Sequence, residues 1–147
     1  MKISTRGQYG TRALLDLALH EGETLIPLKE IARRQQISLS YLEHLITPLI
    51  TAGILRSTRG AHGGIRLVKS AREIKLSEVI TLLEGPITPV DCANDAKACS
   101  RSDLCVTRDV WIELKTAING VLESITLNDL VERHKQKGRP EAVMYFI

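Results

Sequence analysis

The sequence predicts a mainly α-helical chain with one small β-hairpin, three short helices ahead of the hairpin and one long helix behind it. Three observations carry that expectation. Apolar residues recur at helical spacing in separate stretches along the 147-residue chain. Two short alternating runs, Ile54–Thr58 and Ile65–Val68, flank the turn-rich segment Arg59-Gly60-Ala61-His62-Gly63-Gly64, which has hairpin length. Glycines and prolines fall at the ends of these stretches, at Gly22, Gly53 and Gly85-Pro86.

The first helix is expected from about Gln8 to Glu21. Tyr9, Ala13, Leu14, Leu17 and Ala18 keep helical spacing, and Leu15 and Leu19 widen the apolar face. Gly22 ends it, and Leu25-Ile26-Pro27 reads as a short extended piece. Leu28–Gln35 follows as a second helix with Leu28, Ile31 and Ala32 facing inward. The third helix has the clearest start. The Ser38 hydroxyl can cap it, while Ile37 and Leu42 form a hydrophobic staple. Ser40 with Glu43 also has capping-box spacing, so the start is defined to about two positions. Gly53 closes this helix, and Pro48 inside it should remove a hydrogen bond and bend the axis.

Beyond the hairpin, Leu76–Leu83 forms a further short helix. Residues 86–105 read as a loop, longer than the roughly 12–15 residues usual for unstructured connections, and therefore functional. From Val106 to about Ser124 runs the longest periodic stretch, with Val110, Leu114, Ala117, Ile118, Val121 and Ile125 on one face and Trp111 and Leu122 at its flank. Thr126-Leu127-Asn128-Asp129 resembles a capping box for a last helix through about Glu132. A polar, basic tail from His134 to Pro140 leads to the apolar Met144-Tyr145-Phe146-Ile147. The expected organisation is a unit over 1–85, a cysteine-bearing loop over 86–105, a long helix and terminal helix over 106–134, and a tail over 135–147.

Three helices followed by a hairpin with a Gly-rich, basic tip is the order of a winged helix-turn-helix domain. Charge agrees with a polyanion partner. Residues 1–75 hold 12 Lys/Arg against 6 Asp/Glu, whereas residues 76–147 hold 8 against 11. No stretch approaches the roughly 18 apolar residues of a membrane span, and Met1-Lys2-Ile3 opens no secretory signal, so a cytoplasmic location is expected. An enzyme is not expected: there is no Gly-rich phosphate loop, no paired carboxylates beside a histidine and no nucleophile motif.

In a helix-turn-helix the N-terminal residues of the second helix meet base edges in the major groove. That assigns Ser38, Ser40, Tyr41 and Glu43 to double-stranded DNA, with Arg56, Arg59 and His62 contributed by the hairpin, where small residues let backbones approach closely. The apolar face of Val106–Ser124 is too wide for a helix standing alone. It fits antiparallel pairing with a second copy, giving a homodimer on a pseudo-palindromic operator, or packing onto its own domain. Cys92, Cys99 and Cys105 are an odd set of soft thiolate ligands in one Gly-poor loop. Their wide spacing is less typical of structural zinc, and three cysteines leave one position of a four-ligand cluster to a weaker donor, as suits a labile sensor.

The run Ile37-Ser38-Leu39-Ser40-Tyr41-Leu42-Glu43, the glycines around Arg59, the three cysteines before a long helix, and the opening Met1–Tyr9 together resemble the IscR-like branch of the BadM/Rrf-type winged-helix transcriptional regulators. The resemblance covers residues 1–134. It implies a winged-helix homodimer that represses iron–sulfur cluster-assembly genes, a 2Fe–2S cluster held by Cys92, Cys99 and Cys105, and cluster-assembly proteins as partners. It also implies base reading by Ser40, Glu43 and Arg59. The chain departs from the family's pattern in a six-residue first cysteine gap and in Arg108, which stands where relatives carry a histidine ligand. Arginine cannot ligate iron. Asp103, two residues before Cys105, is the first candidate for the fourth ligand, ahead of Asp91, Asp95, Asp109 and Gln8. The alternative is a repressor of the same family switched by cysteine oxidation, nitric oxide or a partner protein in sulfur metabolism.

Overall fold

The computed structural model describes residues 1–22 and 25–138, and the apolar run Met144–Ile147 lies outside them. Helix α1 spans Thr5–Leu19 and so starts before Gln8. The reason is distant in sequence. The Ser4 hydroxyl accepts from Arg6 N at 3.2 Å, and Glu84 Oε1 accepts from the Ser4 and Gly7 backbone N–H groups, each at 3.0 Å. A carboxylate at a helix N-terminus satisfies orphan donors and complements the dipole.

Helix α2 covers Leu28–Gln35, and the chain turns through Gln36 in the left-handed region (φ 55°, ψ 46°) before helix α3, Leu39–Thr51. Ser38 caps α3 as expected, accepting from Tyr41 N at 3.3 Å, and Ile37 and Leu42 are buried together. The helix continues unbroken through Pro48. Strand β1 (Leu55–Thr58) pairs antiparallel with β2 (Gly64–Leu67). The extended piece at Ile26 bridges to Ile65 through two bonds of 3.0 and 2.8 Å, so β2 gains a one-residue neighbour on its outer edge. Gly64 permits this: a Cβ there would stand 2.5 Å from the Ile26 carbonyl oxygen.

Helix α4 spans Leu76–Glu84. The segment before the long helix is not a plain loop but carries three single 3₁₀ turns, Asp91–Ala93, Ala96–Ala98 and Ser102–Leu104. Helix α5 covers Val106–Ser124, as the periodicity indicates. Helix α6 runs from Leu127 to Lys137, with the Thr126–Asp129 capping box formed. It passes the expected end at Glu132, so His134, Lys135 and Lys137 are its last turn rather than tail, and their charge suits that end.

One core holds α1 to α4, β1, β2 and α6. Leu14, Ile31, Leu42, Leu45, Leu49, Ile54, Ile74, Val79 and Leu83 are joined in it by Leu127 and Val131. The return of α6 is sewn in by Leu127 N to Ile74 O at 2.8 Å and Leu76 N to Ile125 O at 2.9 Å. Helix α5 has no buried residue.

Candidate nucleic-acid interface and cysteine arm

Helix α2, which leads into α3, is anchored to α1 by a buried carboxylate. Asp16, 3% exposed, accepts from Arg34 Nε at 3.1 and 3.0 Å and from Arg34 Nη2 at 2.6 Å, and from Gln35 Nε2 at 2.8 Å. Burial pushes the Asp16 carboxyl up, but the Arg34 and Gln35 bonds outweigh it and hold the group below the usual carboxylate range. Arg12 adds a second tie, donating to the Gln35 backbone carbonyl at 2.7 Å.

On α3, Ser38, Ser40 and Glu43 are exposed, and so are His44, Thr47 and Thr51 further along the same helix. Tyr41 is different. It is half-buried, its ring stands edge-on to Tyr9 at 6.1 Å between centroids, and its hydroxyl lies 3.3 Å from Thr5 Oγ1. Tyr41 therefore braces α3 against α1.

Gly53 (φ 77°) turns the chain from α3 towards β1, which packs on α3. Arg56, Arg59 and His62 are all exposed on the wing, and the tip is closed by Gly63 N to Gly60 O at 3.0 Å. Sequence reasoning passed over Arg66. It stands opposite Arg56 in the antiparallel register and is equally exposed. The signal was available in the hairpin alternation, had the pairing register been known.

The cysteines sit on an arm against α5. Cys92 is half-buried in the first 3₁₀ turn, Cys99 is exposed, and Cys105 is half-buried at the N-cap of α5. Arg108 Nε donates to the Cys92 carbonyl at 2.8 Å, and Lys115 Nζ donates to Asn94 Oδ1 at 2.9 Å, so two α5 cations hold this turn. The buried Ser102 donates to the Cys99 carbonyl at 2.9 Å. Cys105 Sγ lies 3.1 Å from Thr107 Oγ1; that hydroxyl and the Arg108 N–H hold its thiol below the usual cysteine value. All three are free thiols. Asp103 is exposed on the last 3₁₀ turn. Among the described residues no three His, Cys, Asp or Glu side chains converge on a metal position, so Asp103 and the cysteines are neighbours in sequence without forming one donor set.

The wide apolar arc of α5 is divided. Ile118, Leu122 and Ile125 are half-buried on the side that packs against α4 and the first 3₁₀ turn. Val106, Val110, Leu114, Ala117 and Val121 are exposed, Val106 at 76% and Val121 at 58%.

The chain is similar to known proteins over most of its length. The family model Rrf2, described as an iron-dependent transcriptional regulator, matches residues 3–133. The protein rrf2 of Nitratidesulfovibrio vulgaris is 44% identical over 131 residues, covering 89% of this chain and 87% of its own. The structure of T. potens IscR superposes with a TM-score of 0.79 at 39% identity, covering 99% of this chain and 96% of that one. That of CymR, described as the global cysteine regulator of B. subtilis, gives a TM-score of 0.77 at 39% identity, covering 90% of this chain and 98% of that one. The relatives are transcriptional regulators, not enzymes, and in this chain the hairpin after α3 is the wing of a winged helix-turn-helix fold. The extent of these matches, from end to end of the winged-helix core and across the cysteine arm, makes this chain a member of the Rrf2 family of transcriptional regulators.

Proposed function

We propose that this chain is a cytoplasmic homodimeric repressor of iron–sulfur cluster-assembly genes, in which α3 and the wing engage a pseudo-palindromic operator and the cysteine arm sets the affinity. Base reading falls to Ser40, Glu43 and Arg59, with Ser38, Tyr41, Arg56 and His62 completing the DNA face. The observation that carries the regulatory half is the placement of every cysteine on one arm tied to α5 by Arg108 and Lys115. Cys92, Cys99 and Cys105 fit a 2Fe–2S cluster by donor type, since thiolates are the ligands iron–sulfur groups take. When bound, such a cluster supplies a crosslink and a change of charge among the three thiolates. This chain's own part is to present Cys105 with its thiol already biased towards thiolate and to release the Cys92 turn from Arg108. Asp103, on the last 3₁₀ turn before Cys105, would be the oxygen donor in the fourth position.

A second reading, a thiol switch driven by oxidation, nitric oxide or a sulfur-metabolism partner, is favoured by the likeness to a cysteine regulator and by the separated free thiols. Anaerobic purification with visible spectra and iron and sulfide analysis tests both. The cluster reading expects a red-brown protein whose colour is lost in Cys92→Ala, Cys99→Ala and Cys105→Ala while the winged-helix core stays folded. Colourless, iron-free protein whose operator affinity changes on treatment with oxidant would replace it with the thiol switch.

A further inference from the structure

Arg56 and Arg66 stand directly opposite each other in the β1–β2 ladder, and both are exposed. Opposed residues on one face of an antiparallel pair hold their Cβ atoms about 4.5–5.5 Å apart. Two guanidiniums that never lose their charge thus share one patch, an arrangement that destabilises a sheet standing alone. Neither forms an ion pair with a carboxylate among the described residues. Lys69, just past β2, is by contrast paired with Glu78 at 3.1 Å.

The ladder cannot easily relieve this repulsion. Leu55 and Ile65 on the opposite face are buried, so a register slip that moved the arginines apart would expose core residues. Strand β2 is also pinned on its far side by Ile26. On the arginine face the next rung towards the tip is Thr58 opposite Gly64, so no further charge adjoins the two arginines on that side of the ladder.

We infer that Arg56 and Arg66 form a two-pronged seat for one backbone phosphate of the DNA duplex, an inference that rests on the reading of this chain as a DNA-binding regulator. A phosphate carries the charge that quenches the repulsion and the oxygens that take N–H groups from both arginines. Charge is what this seat recognises, so it contributes to operator and non-operator DNA alike, and sequence discrimination stays with α3 and Arg59.

The test measures the full chain's dissociation constants over a salt series, on a mixed-sequence duplex and on a duplex selected from a random pool. Arg66→Gln should weaken both duplexes by a similar factor of about 5–10 and reduce the slope of log K against log salt by about 0.9, while Arg66→Lys keeps the slope. The free Arg66→Gln protein should melt about 1–3 °C higher at low salt, because the repulsion is relieved, and the gain should vanish at high salt. An unchanged slope, or a weakened affinity accompanied by a lower melting temperature, overturns the phosphate seat. A wild-type chain that binds neither duplex at low salt overturns instead the DNA-binding reading beneath it.

Discussion

Asp16 sets much of the geometry of the DNA-facing half, although it touches no DNA. Its carboxylate collects Arg34 and Gln35 from α2 onto α1, and α3 follows α2 after one tight turn. Removing one partner of such a buried pair leaves the other uncompensated. Asp16→Asn should cost about 2–3 kcal/mol in urea unfolding, with Arg34 partly solvated and so less than fully stranded. The pH dependence follows from the depressed carboxyl. Its stabilisation is complete above the unfolded carboxylate value, near pH 4, and is lost as pH falls through the lower folded value. Below about pH 4 the gap between wild type and Asp16→Asn should therefore close; a gap of constant size down to acid unfolding would deny the ionised pair. Residues of this kind were poorly legible in the sequence. Asp16 sits on the same apolar stretch as Ala13 and Leu17, yet nothing local names Arg34 as its partner. Tyr41 shows the converse: it occupies a base-reading position in the motif, and its half-buried ring against Tyr9 gives it a bracing role that local sequence does not reveal.

At the scale of elements, sequence performed best where the determinants are local. The Ser38 cap, the α2 boundaries, the hairpin and the full span of α5 all rest on neighbouring residues, and all are observed. It fell short where a distant group decides. Glu84 extends α1 backwards from across the fold, and α6, anchored in the core by Leu127 and Val131, runs on past Glu132 through a basic last turn that suits its C-terminal end. The apolar arc of α5 was legible as too wide, but not how it is shared. Its Ile118 side serves the chain itself, and its Val110–Leu114–Val121 side stands open. If the open side pairs two copies, the two edges of the arc respond differently to charge. Leu114→Asp should convert dimer to monomer in sedimentation with the far-UV circular dichroism retained, because the aspartate stays in water once the chains part. Ile118→Asp should instead loosen α5 from its own α4 and lower the melting temperature. A Leu114→Asp chain that sediments as an intact dimer would remove this face from the interface.

For the whole molecule, the surprise is that α1 and α6, the first and last helices among the described residues, share one core while the cysteine arm stays outside it. Residues 86–124 leave after α4 and return through the Ile125–Leu76 and Leu127–Ile74 bonds, so both ends of the arm are fastened to the same winged-helix unit. A change in the cysteine segment is then felt at two points of one body rather than across a linker. The chain has a single tryptophan, Trp111, on α5, which reports the arm separately from the core. Because the arm is closed at both ends on a common core, it should not melt before the core does. Trp111 emission and far-UV circular dichroism should trace one coincident urea transition, and its midpoint should rise with protein concentration if dimers unfold to separated chains. Leu127→Ala, which cuts into the core where the arm returns, should shift both traces together by about 2–5 kcal/mol. If Trp111 instead changes ahead of the dichroism and ignores Leu127→Ala, the arm is an independent unit rather than part of one body with the core.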